Sequence, residues 1–374
     1  MVEKTIYLDF NATVLPVPGV REAICHALNN AGNPSSVHFY GQRAKKKINA
    51  VRQKLASMIE ANHNDIYFTG SGTQANAMVM GGVQSSFVIT SSIEHASIFE
   101  NLTFYRPGKY KKIPVSEEGI ISLECLEQAL KEAPKPCLVS VMLANNETGA
   151  IQPIKKVVQI CKKYGAWVHT DAIQAFGKIP VSFKDLGVDI MTLSSHKAGG
   201  PQGVGIFVKK KEVPFNPLYV GGGQERGVHH GTENLLGISG FSAALDALDL
   251  TEYKKLAKLR DQMESYLQKQ VANLKIPSQK VDRLPNTSYL CMPGINKSLQ
   301  LMALDLSGIS VSSGAACSSG KVEGSKVLEA MGYQEKEAQT ALRISLGWST
   351  TEEEVALFAK EWLQIYDKYR ADTP

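Results

Sequence analysis

Residues 166–174 read Ala166-Trp167-Val168-His169-Thr170-Asp171-Ala172-Ile173-Gln174, and residues 190–197 read Ile190-Met191-Thr192-Leu193-Ser194-Ser195-His196-Lys197. Each stretch opens on a short apolar, β-branched run and ends in groups able to do chemistry. Such runs, bounded by polar residues, read as buried strands. Working outward, similar runs stand at 65–69, 86–90, 138–143 and 204–208. Between them the spacing of apolar residues predicts helices over 73–83, 122–133 and 154–164. Alternation of this kind predicts an α/β fold, a mostly parallel sheet flanked by helices.

Two further helical patterns follow, at 234–248 and 251–273, the second reading as a lever between lobes. Beyond Pro277, strand candidates at 287–292 and 309–312 alternate with helices at 298–305, 325–331 and 351–369. This predicts a smaller α+β lobe of ordinary domain size. The expected division is an N-terminal segment, 1–15, associated with the small lobe, a large domain, 16–260, and a small domain, 261–374.

The chain has 374 residues, enough to bury a core without disulfide or metal staples. Its formal charge of +5 is mild for this length and leaves no nucleic-acid footprint. The lysine triplets at 45–47 and 209–211 read as solvated faces. No two of the six cysteines stand as CxxC, and no Cys/His cluster has zinc spacing, so no metal is expected. Cys25, Cys125, Cys137, Cys161 and Cys291 read as buried small hydrophobes. The N-terminus reads as no signal peptide, and the longest apolar run, about eight residues near 137–144, is too short to span a membrane. A reduced, cytoplasmic protein is expected.

In open parallel sheets ligands sit at the carboxyl ends of the strands. Here successive strands run into Gly70-Ser71-Gly72-Thr73, Ser91-Ser92-Ile93-Glu94-His95, Ala144-Asn145-Asn146-Glu147-Thr148-Gly149, Asp171–Gln174 and Ser194–Lys197. The glycine turn opens a helix and could hold a phosphate, although it is neither a Walker A loop nor GxGxxG, and a plain helix start gives the same sequence. A strand-end carboxylate and a strand-end lysine are the two protein groups that handle pyridoxal phosphate, one at the pyridinium nitrogen and one as a Schiff base. Asp171 and Lys197 fit those roles; a surface lysine after a strand is the ordinary alternative. His95 could stack on a ring or move protons. Cys317 sits in Ser312-Ser313-Gly314-Ala315-Ala316-Cys317-Ser318-Ser319-Gly320, a small, polar setting suited to a reactive thiol. Arg343 lies in an apolar run and needs an anion, either a substrate carboxylate or a structural Asp or Glu.

On these residues the chain resembles cysteine desulfurases of the IscS/NifS type, pyridoxal-phosphate enzymes of the class V aminotransferase family with the fold type I architecture. The match runs nearly end to end. Its most specific pieces are residues 32–38, 145–149, 169–174, 194–197, 221–227 and 312–317. The resemblance implies that Lys197 carries pyridoxal 5′-phosphate, that Asp171 meets the ring nitrogen and that His95 stacks on the ring. Asn146 and Gln174 would contact the phenolic oxygen or substrate. Gly72, Thr73, Ser194 and His196 would bind the phosphate, with Thr232 reaching it from the other subunit of a homodimer. Arg343 would clamp the carboxylate of L-cysteine, and Cys317 would take its sulfur as a persulfide, leaving alanine. An iron–sulfur scaffold or another sulfur-acceptor protein is the implied partner.

The chain departs from the family pattern at four places. Gln74 replaces an acidic residue, His229 replaces an arginine, Gly324 replaces a proline, and a longer C-terminal tail is absent. Selenocysteine lyase or aminotransferase chemistry on the same fold, or a non-catalytic homologue, are the alternatives.

Overall fold

The computed structural model describes residues 5–30, 32–314 and 324–370. Eleven strands are present among them: β1 Ile6–Tyr7, β2 Ile66–Thr69, β3 Phe87–Ser91, β4 Tyr110–Ile113, β5 Cys137–Ser140, β6 Trp167–Asp171, β7 Ile190–Ser194, β8 Gly205–Lys209, β9 Thr287–Cys291, β10 Ile309–Ser310 and β11 Ala341–Ser345. Seven of them form one sheet in the order β2-β8-β7-β6-β5-β3-β4. Only β8 runs against its neighbours; the β7-β6-β5-β3-β4 pairings are all parallel. The chain passes from β3 outward to β4, then returns to lay β5 on the other side of β3. That reversal opens a crevice at the carboxyl ends of β3 and β5.

The helices follow from apolar spacing. Helix Ile154–Lys163 buries Ile154, Val157, Val158 and Cys161, a stripe at intervals of three, one and three residues. Helix Gly72–Gly82 starts at Ser71, whose hydroxyl accepts from Gln74 N at 3.1 Å. The sheet and its helices enclose one large core that includes Leu55, Ile89, Val139, Val168, Leu193 and Phe241.

A second core is built around Phe358, Trp362, Leu342, Ile344 and Leu304. It is framed by the antiparallel pair β9–β11 and the parallel pair β1–β10. Helix Leu250–Gln270 belongs to it: Tyr253, Leu256, Met263 and Leu267 all face this core. The helix is therefore a wall of the small lobe rather than a free lever. The expected boundary at residue 260 falls inside this helix, whose buried residues on both sides of it pack in the second core.

The N-terminal segment joins the lobes. Leu8 and Phe10 are buried, and Leu8 N donates to Ser310 O. A few residues on, Val14 N donates to His196 O and Val17 N to Gly199 O, in the large lobe. Among the described residues no helix is long and apolar enough to cross a membrane. Lys45 and Lys46 are exposed on helix Phe39–Met58. Lys209, by contrast, is buried, with Nζ donating to Lys210 O and Val213 O; the second triplet is not wholly a solvated face. Cys137, Cys161 and Cys291 are buried as expected, whereas Cys25 and Cys125 are exposed.

Candidate active site

The register of β6 on β7 sets Asp171 opposite Thr192, so Asp171 and Ser194 finish at the same edge of the sheet. Asp171 is buried. Its Oδ1 accepts from Ile173 N at 2.9 Å and its Oδ2 from Asn76 Nδ2 at 2.8 Å. Burial pushes the carboxyl pKa up; those two donors, His95 and Lys197 oppose the shift.

Behind Asp171 runs a chain of buried polar groups. Thr192 Oγ1 donates to Asn76 Oδ1 at 2.7 Å, so it must accept from His169 Nε2, 3.1 Å away. His169 Nδ1 then accepts from Ser140 Oγ at 2.9 Å. Burial holds His169 neutral, with its pKa pushed down to about 3. Every hydroxyl and amide in this line is turned so that its last donor points at Asp171.

His95 caps helix Ala96–Tyr105. Its Nδ1 accepts from Ser97 N at 3.1 Å and lies 2.8 Å from Ser97 Oγ, which itself receives Asn76 Nδ2 at 2.9 Å. Nδ1 is thus the acceptor, and the neutral ring carries its proton on Nε2. Burial lowers the His95 pKa while Asp171 pulls it back up. One asparagine, Asn76, therefore orients both Asp171 and His95.

Lys197 Nζ donates to Asn11 O and Ala12 O, each at 2.6 Å. Two neutral carbonyls stabilise an ammonium less than a carboxylate would. Burial, helped by Arg343, brings the Lys197 pKa down to about 8, against the pull of Asp9 and Asp171.

Gly72, the first residue of its helix, sits against the end of β7: a Cβ there would lie 2.6 Å from Ile173 Cδ1 and 3.2 Å from Ser194 Cβ. The Ser194 hydroxyl is buried without a hydrogen-bond partner among the described residues. A bare backbone at a helix start facing an unpartnered hydroxyl is a cradle for an anion. Thr73 is exposed beside it. His196 Nδ1 lies 3.1 Å from Thr13 Oγ1, and burial drives its pKa down to about 4, so it meets an anion as a neutral ring.

Two expected residues, Gln174 and Asn146, stand in arrangements the sequence did not indicate, and Arg343 has the structural partner that was one of its two readings. Gln174 is held by Lys178 and by Asn11: Lys178 Nζ donates to Gln174 Oε1 at 2.7 Å and Gln174 Nε2 donates to Asn11 O at 2.9 Å. Asn146 contributes its backbone carbonyl, which accepts from Arg343 at 2.9 Å. Arg343 also pairs with Asp9 Oδ1 at 2.7 Å, so a structural carboxylate partner is present. Its Nε remains buried and unpartnered among the described residues, so the fork keeps donors to offer. Thr232 is exposed on the segment before helix Leu235–Asp246, away from this edge in sequence and element. Cys317 lies outside the described residues.

Asn11, Asn76 and Lys178 escaped sequence reasoning. Lys178 is 1% exposed and, among the described residues, bonded only to amide oxygens, those of Gln174 and of Asn11 at 2.7 Å; burial lowers its pKa well below the usual lysine range. Its only sequence signal is its place four residues after Gln174. Asn76 could have been found as the polar residue among the apolar positions Ala75, Met78 and Val79 on the buried face of helix Gly72–Gly82.

Residues 6–358 match the family described as aminotransferase class-V. A Clostridium botulinum protein named cysteine desulfurase IscS is 35% identical over 387 aligned positions, which cover all of this chain and 97% of that relative. A cysteine desulfurase from Cereibacter sphaeroides is 36% identical, with 99% of this chain and 97% of the relative covered. The X-ray structure of a NifS-like protein from Rickettsia africae superposes with a TM-score of 0.89 at 37% identity, over 97% of this chain and 99% of that one. With the family match running over residues 6–358 and these relatives aligned over nearly the whole of both chains, the chain belongs to the class-V aminotransferase family.

Proposed function

We propose that the chain is a cysteine desulfurase that holds pyridoxal 5′-phosphate at Lys197 and passes the sulfur of L-cysteine to Cys317. The observation that carries this reading is the meeting of an oriented buried carboxylate, Asp171, with a depressed amine, Lys197, beside a cradle with an unused hydroxyl, Ser194. The donor set fits the cofactor. The helix start at Gly72–Thr73, Ser194 and His196 would receive the phosphate, Asp171 the ring nitrogen, and His95 a ring face. When bound, the cofactor supplies the electron sink for bond changes at the substrate's carbons.

The remaining work falls to side chains. A cationic ring nitrogen against Asp171 would offset the burial that now raises its pKa. Lys197, its pKa about 8, gives up and takes back a proton near neutral pH, as a group shuttling the substrate's α-proton must. Arg343 would offer its unused donors to the substrate carboxylate. At Cys317 one S–S bond forms as the C–S bond of L-cysteine breaks. The departing carbon keeps the electron pair and gains a proton. L-cysteine and a thiol thus become L-alanine and a persulfide, with no outside oxidant.

A homodimer in which Thr232 completes the partner's phosphate site is supported by apolar side chains left in the open: Val37 at 87%, Phe39 at 69% and Val220 at 86% exposure. Transfer onward to an iron–sulfur scaffold or another acceptor protein is part of the same reading. The free state of the five described cysteines fits a cytoplasmic setting.

The test is product balance from L-cysteine with added pyridoxal phosphate and a thiol reductant, comparing wild type with Cys317→Ala. Equal alanine and sulfide from wild type, both lost in the variant, is the expected result. Alanine formed independently of Cys317 would move the reaction to selenocysteine lyase chemistry, and a 2-oxo acid in place of alanine would move it to an aminotransferase. No product from folded, cofactor-loaded protein would point to a homologue without catalysis.

A further inference from the structure

Glu147 has no place in the chemistry above, yet its carboxyl is buried beside the site and engaged by two hydroxyls. It follows β5 in the stretch Asn145–Gly149, and its side chain is buried. Its Oε2 lies 2.5 Å from Ser325 Oγ and 3.0 Å from Tyr289 Oη. Tyr289 is fully buried on β9, directly opposite Arg343 on β11, and its Oη also lies 3.0 Å from Ser313 O. Gly314, with φ of 80°, passes so close that a Cβ would stand 3.0 Å from Glu147 Cγ and 3.1 Å from Tyr289 Oη. Ser325 caps helix Lys326–Ala330, its Oγ accepting from Leu328 N at 3.1 Å. One carboxyl of the large lobe thus gathers Ser313 and Gly314, where the chain enters the stretch 315–323 bearing Cys317, and Ser325, just after it.

Counting protons favours a protonated Glu147 in this cluster. Ser325 Oγ accepts from a backbone N–H, so its own proton goes to Glu147. Tyr289 Oη has one proton for two oxygens at 3.0 Å, and the carbonyl of Ser313 has none to give. With Glu147 ionised, one of those contacts would set oxygen against oxygen with no proton between. With Oε2 protonated the line closes: Ser325 hydroxyl to Glu147, Glu147 to Tyr289, Tyr289 to Ser313 O. Burial of Glu147 raises its pKa in the same direction; the charged groups that face it, Arg343 and Lys297, oppose this.

We propose that Glu147 is a positioning residue for sulfur transfer, a neutral acid that ties together the two points from which the Cys317 segment is hung. The inference rests on Cys317 being the sulfur acceptor. It acts through Tyr289, Ser313 and Ser325, at the two stems of that segment, so it bears on one step only. Binding of L-cysteine at the cofactor does not need the two stems held; attack by a thiol carried between them does.

The experiment uses holoenzyme of wild type, Glu147→Ala, Glu147→Gln, Tyr289→Phe and Cys317→Ala. Two rates are read in single turnovers: the first absorbance change on adding L-cysteine, and formation of alanine. Glu147→Ala should leave the first within twofold and slow the second at least tenfold. Glu147→Gln, which can still donate to Tyr289, should recover most of that loss. Tyr289→Phe, which keeps the ring and removes the link to Ser313, should slow alanine formation several-fold, and it carries the test if Glu147→Ala does not fold. Both rates falling together in the Glu147 and Tyr289 variants, or neither falling, would overturn the proposal while Cys317→Ala remains inactive. Alanine formation unchanged in Cys317→Ala would instead overturn the acceptor reading on which it rests.

Discussion

Lys197 shows how a fold sets the reactivity of one side chain. Its ammonium is given two peptide carbonyls instead of a carboxylate, so burial dominates and its pKa falls to about 8. The free amine is the nucleophile, so its fraction grows tenfold per pH unit below the pKa and levels off above it. Capture of pyridoxal phosphate by cofactor-free protein, followed by absorbance, should therefore rise to about pH 8 and then flatten. A rise continuing to pH 10 would show an ordinary lysine. The neighbouring Lys178 poses the same question more sharply, since its partners are all neutral and its burial is complete. Lys178, Lys197 and Arg343 stand within electrostatic reach: Lys197 and Arg343 both lower the proton affinity of Lys178, and Arg343 lowers that of Lys197.

Among the elements, helix Gly72–Gly82 carries the most. It offers its N-terminus to the cradle, and one turn in it places Asn76 against Asp171 and Ser97. Gly72→Ala should not unfold it, because the position has no left-handed backbone and the nearest atom to a new Cβ is the flexible tip of Ile173. The methyl would narrow the cradle. Affinity for pyridoxal phosphate should drop at least tenfold while affinity for pyridoxal, which has no phosphate, stays within twofold; equal losses for both would place the phosphate elsewhere.

The elements differ in how plainly the sequence announces them. β2, β3, β5, β6, β7 and β8 fall within a residue or three of the apolar runs, because a strand buried on both faces must be apolar throughout. Edge strand β4, Tyr-Lys-Lys-Ile with both lysines exposed, has no such constraint and was not foreseen. Nor was helix Phe39–Met58, whose inward Ala44, Ile48, Val51 and Leu55 are interrupted by three consecutive lysines. At the site, Asp171, Lys197, Ser194 and His95 were legible from their places after strands. Asn11 and Lys178 were not, since each owes its role to contacts far away in the chain.

At the scale of the whole molecule, the turn that leads toward Thr232 is fastened to the far edge of the sheet. Glu225 and Arg226 both adopt left-handed backbone, φ of 45° and 57°, which side chains other than glycine seldom take. The strain is held by a buried bidentate pair, Arg52 to Glu225 at 2.7 and 2.8 Å, and by Phe68 N donating to Glu225 at 2.9 Å. Glu225→Ala would leave Arg52 buried and uncompensated, a loss of about 3–5 kcal/mol. Urea denaturation should show the midpoint falling accordingly; a change below about 1 kcal/mol, the range of an exposed pair, would mean that the anchor is not needed.

The N-terminal segment carries a consequence for the order of events during synthesis. Asp9 meets Arg343 across 334 positions, and Asn11, whose carbonyl receives Lys197, binds Thr287 and lies next to Ser345. A nascent chain emerging from the ribosome exposes its first strand long before the residues that will hold it exist. The large lobe can collapse early, but Lys197 keeps its native surroundings waiting until nearly the last strand is made. The depressed amine is therefore one of the last features of the molecule to take its native form.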